Sequence, residues 1–168
     1  MESLGAGKRV HPIILDVRIV GIQFASGRPA HAVEMNILAN MFFEIPPRAF
    51  DYQSQMTYTF PADALVLSFM PHMHLRGLSA RYVLKRPDGT SETLLSVPDY
   101  DFGWQSVYRF AQPLAVAKGS KLTWIGHWDN SAHNPRNPDP EKRVHWGLQT
   151  WDEMQNGWME VVWKKPRS

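Results

Sequence analysis

Short runs in which apolar and polar residues alternate, separated by Gly, Pro, Asn and Asp, recur along this chain, while apolar residues at helical spacing are scarce. A period of two turns one face of each run towards a core, and it predicts strands over 13–24, 32–43, 53–60, 64–74, 79–85, 91–97, 103–110, 121–128, 144–150 and 158–163. Gln55-Met56-Thr57-Tyr58-Thr59-Phe60 shows the alternation most cleanly. Many short strands broken by turn residues predict an all-β sandwich or barrel. Arg86-Pro87-Asp88-Gly89-Thr90 reads as a tight turn, with proline presetting φ and Asp-Gly supplying the positive-φ positions. Ile45-Pro46-Pro47-Arg48-Ala49 and Asn134-Pro135-Arg136-Asn137-Pro138-Asp139-Pro140 read as stiff loops, because proline cannot continue a ladder. No linker or repeat divides the chain, so one domain is expected over 11–165 behind a flexible N-terminus at 1–10.

Composition agrees with a packed domain. The chain has 168 residues, 43% hydrophobic and 12% aromatic, enough to fill a core. No run of about 18 apolar residues occurs, and the first residues lack the basic start and apolar centre of a signal peptide, so neither a membrane partner nor an export address is expected. The absence of cysteine excludes disulfides, thiolate metal sites, iron–sulfur clusters and cysteine nucleophiles. A net charge of +2 arises from intermixed signs, and the basic tail Lys164-Lys165-Pro166-Arg167 reads as a solvated end, not a nucleic-acid contact.

The apolar run Ala64 to Met70 leads into Pro71-His72-Met73-His74-Leu75-Arg76-Gly77. On an extended strand His72 and His74 share a face, close enough to grip one ion, and Met73 points away. Such a pair serves either as metal ligands or as one core histidine beside a loop-capping neighbour. The third donor separates the metals, since zinc takes His, Asp or Glu, whereas a thioether favours copper, above all Cu(I). Downstream candidates are His127, His133, His145 and Met154, the last in the polar segment Asp152-Glu153-Met154. His127 shares a strand face with Thr123 and Ile125, and is a candidate fourth donor or a support for the ligands. Asp152 and Glu153 either orient a ligand histidine through its second ring nitrogen or solvate a turn. His133 is expected to cap a loop or line a pocket mouth, His145 to be structural, and most tryptophans to be core, with one or two near the metal as an apolar substrate wall.

His72-Met73-His74-Leu75-Arg76-Gly77 followed far downstream by Asp152-Glu153-Met154 resembles the C-terminal domain of the copper type II, ascorbate-dependent monooxygenases, the family of peptidylglycine α-hydroxylating monooxygenase and dopamine β-monooxygenase. The segments Pro98-Asp99-Tyr100-Asp101-Phe102-Gly103-Trp104-Gln105, Trp128-Asp129-Asn130-Ser131-Ala132-His133-Asn134-Pro135 and Trp146-Gly147-Leu148-Gln149-Thr150 look like those of bacterial proteins carrying this domain, and the resemblance spans about 53–161. It implies a jelly-roll-like antiparallel β-sandwich with one copper held by His72, His74 and Met154. It also implies that dioxygen binds at this ion, that a substrate C–H bond is hydroxylated there, and that a reductant such as ascorbate supplies electrons. The family carries a second copper on three histidines of a preceding domain, whereas the first fifty residues here hold only His11 and His31. The chain is therefore expected to be a single-copper half that works with a missing N-terminal or fused redox domain. A non-catalytic copper-binding module, a zinc site of His72, His74 and His127, and a metal-free binding domain are the alternatives. Copper without cysteine also points to a periplasmic or secreted parent protein.

Overall fold

A computed structural model describes residues 26–164 together with Ile22 and Phe24, and the compact unit that contains the strands begins at His31. The flexible N-terminus expected at 1–10 and most of the strand expected at 13–24 lie outside the described residues. Ten strands follow one another: β1 (Glu34–Ala39), β2 (Glu44–Ile45), β3 (Tyr52–Thr59), β4 (Ala64–His72), β5 (Gly77–Lys85), β6 (Ser91–Val97), β7 (Tyr108–Val116), β8 (Lys121–Trp128), β9 (Val144–His145) and β10 (Asn156–Trp163). One four-stranded sheet has the order β1-β10-β4-β7 and the other β3-β8-β5-β6, every pairing antiparallel. These orders are those of a jelly roll, so the fold is an antiparallel β-sandwich of that type. The short strands β2 and β9 pair separately. No helix among the described residues is long and apolar enough to cross a membrane.

The core lies between the inner faces of the two sheets. Phe69 of β4 stacks on Tyr82 of β5 at 4.3 Å between ring centroids, and Trp124 and Trp128 of β8 are fully buried with Met159 and Val161 of β10. Close approach is needed where the sheets meet: a Cβ on Gly157 would stand 2.8 Å from Trp124 Cγ.

The strands at 91–97 and 121–128 fall where the alternation predicts them. The seventh strand does not: it runs Tyr108–Val116 and not 103–110, and it contains Pro113. β7 is an edge of its sheet, where a residue without an N–H costs no ladder bond, so proline there does not end the strand. The residues 103–107 instead form a loop. In the turn after β5 only Gly89 has positive φ, at 89°, while Asp88 contributes its carboxylate, which accepts the Thr90 N–H at 2.9 Å.

Candidate metal centre

β4 leaves its sheet at His72, and His74 follows in the turn that leads to β5. Their rings are 5.2 Å apart between centroids, edge to face, while Met73 between them is fully buried in the core. The alternation thus holds across the strand end, placing both imidazoles on the outer side. His72 is opposite Asn156 in the β4–β10 register, so their side chains share that outer face. Two residues before Asn156, Met154 reaches the same end, with its sulfur accepting the Asn156 Nδ2–H at 3.2 Å.

Each imidazole is oriented through one nitrogen. Gln105 turns its Nε2–H to the Phe102 carbonyl at 3.0 Å, which presents its Oε1 to His72 Nδ1 at 2.5 Å, so Nδ1 is the donor. His74 Nδ1 donates to the Asp152 carbonyl at 3.3 Å. A neutral ring that donates through Nδ1 keeps its lone pair on Nε2, the state in which imidazole binds a metal; the His74 ring also meets the Gln149 carbonyl. Burial, then the neighbouring His72, holds the His74 imidazolium below its usual range, which keeps the ring neutral near pH 7. Phe102 packs against the His74 ring at 5.7 Å.

Glu153 anchors the turn from beneath. Its carboxylate accepts the backbone N–H of His74 at 2.8 Å, that of Arg76 at 2.6 Å and Trp128 Nε1–H at 3.1 Å, and it is inaccessible to solvent. Burial pushes it up to about 7 against the opposing pull of these donors and of Arg76. The orienting role expected of the two carboxylates is therefore corrected: Asp152 holds the His74 ring with its backbone carbonyl, and Glu153 holds the backbone, not a ring. Tyr100 braces Met73, accepting its N–H at 3.0 Å and donating to its carbonyl at 2.7 Å. Gln105, Tyr100 and Asn156 had no chemical signature in the sequence; Tyr100 and Gln105 are marked only by lying in the Pro98–Gln105 segment that carries the resemblance.

His127 does not join this site. It lies on the outer face of β8, opposite in direction to the buried Trp124 and Trp128, and its Nδ1 is 2.6 Å from Asp51. Among the described residues no three His, Asp or Glu side chains gather into a metal-holding group, so the His72, His74 and His127 zinc arrangement is not formed. His145 is exposed, 3.6 Å from Glu44, and His133 lines a cavity behind the turn.

Two features mark the His72 end as ready for a ligand. Asn156 Oδ1, buried and opposite His72, has no hydrogen-bond partner among the described residues. Beside it, Met70 and Trp158 form the next cross-strand pair on the same face and line a shallow apolar groove with Met35 and Val107. Two imidazoles oriented through Nδ1, a thioether at the same end and an apolar flank are donors of the kind that a soft cation takes. Copper in this position would be held by His72, His74 and Met154.

No family model and no curated protein matches the chain. Among solved structures it is similar to the VP2 subviral particle of infectious bursal disease virus, at 13% identity and a TM-score of 0.39 over 86% of this chain and 37% of that one. It is also similar to the structure of the Gx strain of that virus, at 10% identity and a TM-score of 0.43 over 86% and 36%. The chain thus spans little more than a third of these proteins.

Proposed function

We propose that this sandwich is the copper-binding domain of a monooxygenase-like oxidoreductase, with His72, His74 and Met154 as ligands. The observation that carries this reading is the pair of imidazoles 5.2 Å apart, each held through Nδ1 by an oxygen of the protein, at the end of the sandwich that Met154 also reaches. Bound copper would supply dioxygen binding and the redox chemistry of C–H hydroxylation, with electrons from a reductant such as ascorbate and from a partner domain. The chain's own residues set the stage. Gln105 and the Asp152 carbonyl fix the ring orientations, Glu153 fixes the backbone beneath them, and Met70 and Trp158 offer an apolar wall for the substrate.

Titration of metal-free protein with Cu(I) and Cu(II), alongside His72→Ala and Met154→Ala, tests the reading. One equivalent of Cu(I), abolished by His72→Ala and weakened by Met154→Ala, is expected. Preference for zinc with Met154 irrelevant would overturn it. Tight copper binding without oxygen-dependent product in the presence of ascorbate and a partner domain would leave the domain a non-catalytic copper module.

A further inference from the structure

Asn156 is held from both sides. It opens β10, lies opposite Ala39 of β1 in one ladder and His72 of β4 in the other, and is only 5% exposed. From this fixed position its Nδ2–H donates to Met154 Sδ at 3.2 Å. The reversed carboxamide would set its oxygen against the sulfur lone pairs, so it is the N–H that faces the sulfur. The Oδ1 atom is buried with no hydrogen-bond partner among the described residues.

Such an arrangement is costly for the fold. A thioether is a weak acceptor, and an amide oxygen buried without a donor loses its solvation with nothing in return. An apolar side chain of the same size would pack at this position without that penalty. The carboxamide is therefore not accounted for by what it adds to the strand. Met154, by contrast, needs a hold. The backbone on either side of it is tied down, by Glu153 N–H to the His145 carbonyl at 3.2 Å and by Asn40 N–H to the Gln155 carbonyl at 3.2 Å, but its side chain turns about three bonds.

We infer that Asn156 is a positioning residue for the Met154 thioether, its Nδ2–H engaging one sulfur lone pair so that the other serves the ion, and that it thereby biases the site towards Cu(I). The inference rests on the copper reading above. A thioether selects Cu(I), so holding it in place favours that state. A donor on the sulfur also draws electron density from it, which disfavours the more highly charged Cu(II). Both effects pass through the sulfur and have the same sign.

Titrations of the full metal-free chain with Cu(I) under reducing conditions, and with Cu(II), give the ratio of the two affinities. They are made on wild type, Asn156→Leu, Asn156→Asp, Met154→Ala and the Asn156→Leu/Met154→Ala double variant. The ratio of Cu(I) to Cu(II) affinity is expected to fall about tenfold in Asn156→Leu. It should fall in Asn156→Asp as well, whose carboxylate offers the sulfur no N–H, and no further in the double variant than in Met154→Ala. Metal-free Asn156→Leu should be at least as stable to denaturant as wild type, because it loses an unpaired buried oxygen. An unchanged ratio in both Asn156 variants, beside a fall in Met154→Ala, would overturn the inference and leave the copper ligands standing. A fall in Asn156→Leu that recurs in full on the Met154→Ala background would overturn it too, since the effect would not pass through the sulfur. No change in Met154→Ala would remove Met154 from the site and overturn both readings.

Discussion

A carboxylate sealed from water must find its solvation in the protein, and Glu153 finds it in three N–H groups and the nearby guanidinium of Arg76. Glu153→Ala would leave the His74 and Arg76 backbone amides and Trp128 Nε1 without their acceptor, and the buried Arg76 guanidinium without its nearby carboxylate. The expected cost is about 3–5 kcal/mol, read by denaturant unfolding. Glu153 also titrates in the physiological range. Its folded pKa of about 7 lies above the 4.5 of the free group, so the folded state holds the proton more tightly. Its contribution to stability is therefore full below about pH 4.5 and is lost as pH rises through about 7. Glu153→Gln cannot titrate. Relative to it, wild-type metal-free protein should lose about 3 kcal/mol of unfolding free energy between pH 4.5 and 8; parallel pH curves for the two proteins would refute the assignment.

Elements bring these groups together, and the β4–β10 pairing does most of it. It sets Asn156 opposite His72 and Trp158 opposite Met70 on the outer face, with Gly157 opposite Pro71 on the inner. Gly157 is small because Trp124 packs onto it. Gly157→Ala should therefore either push Trp124 aside or separate the sheets, costing roughly 1–3 kcal/mol, and the near-ultraviolet circular dichroism of the tryptophans should change with it. The strands are legible in the sequence where packing is one-sided, as in β8, whose buried Leu122, Trp124 and Trp128 alternate with partly exposed residues. Legibility ends where pairing, not burial, makes the strand. β7 continues through Pro113 because it has one free edge, and β2 and β9 are two-residue contacts with no periodicity to read.

At the scale of the molecule, the two ends of the sandwich differ. Short turns at 60–63, 86–90 and 117–120 close one end, and the loops at 73–76, 98–107, 129–143 and 146–155 crowd the other, where the histidines lie. The histidine pair was legible because its members are two residues apart on one strand. Their supports were not: Glu153 reaches His74 across 79 residues of sequence and Gln105 reaches His72 across 33, distances that only the fold closes. For the same reason an ion shared by His72, His74 and Met154 would fasten the turn after β4 to the loop before β10, two segments that an unfolded chain separates. Binding that exists only in the folded state stabilises it by about 2.7 kcal/mol when free metal is a hundredfold above Kd. For a sandwich of this size that is roughly 5–10 °C in Tm. Under reducing conditions Cu(I) should therefore raise Tm by that amount and a chelator should return it to the metal-free value, whereas Met154→Ala should give a smaller rise and His72→Ala none. An equal rise in all three proteins would mean that the ion binds elsewhere on the molecule.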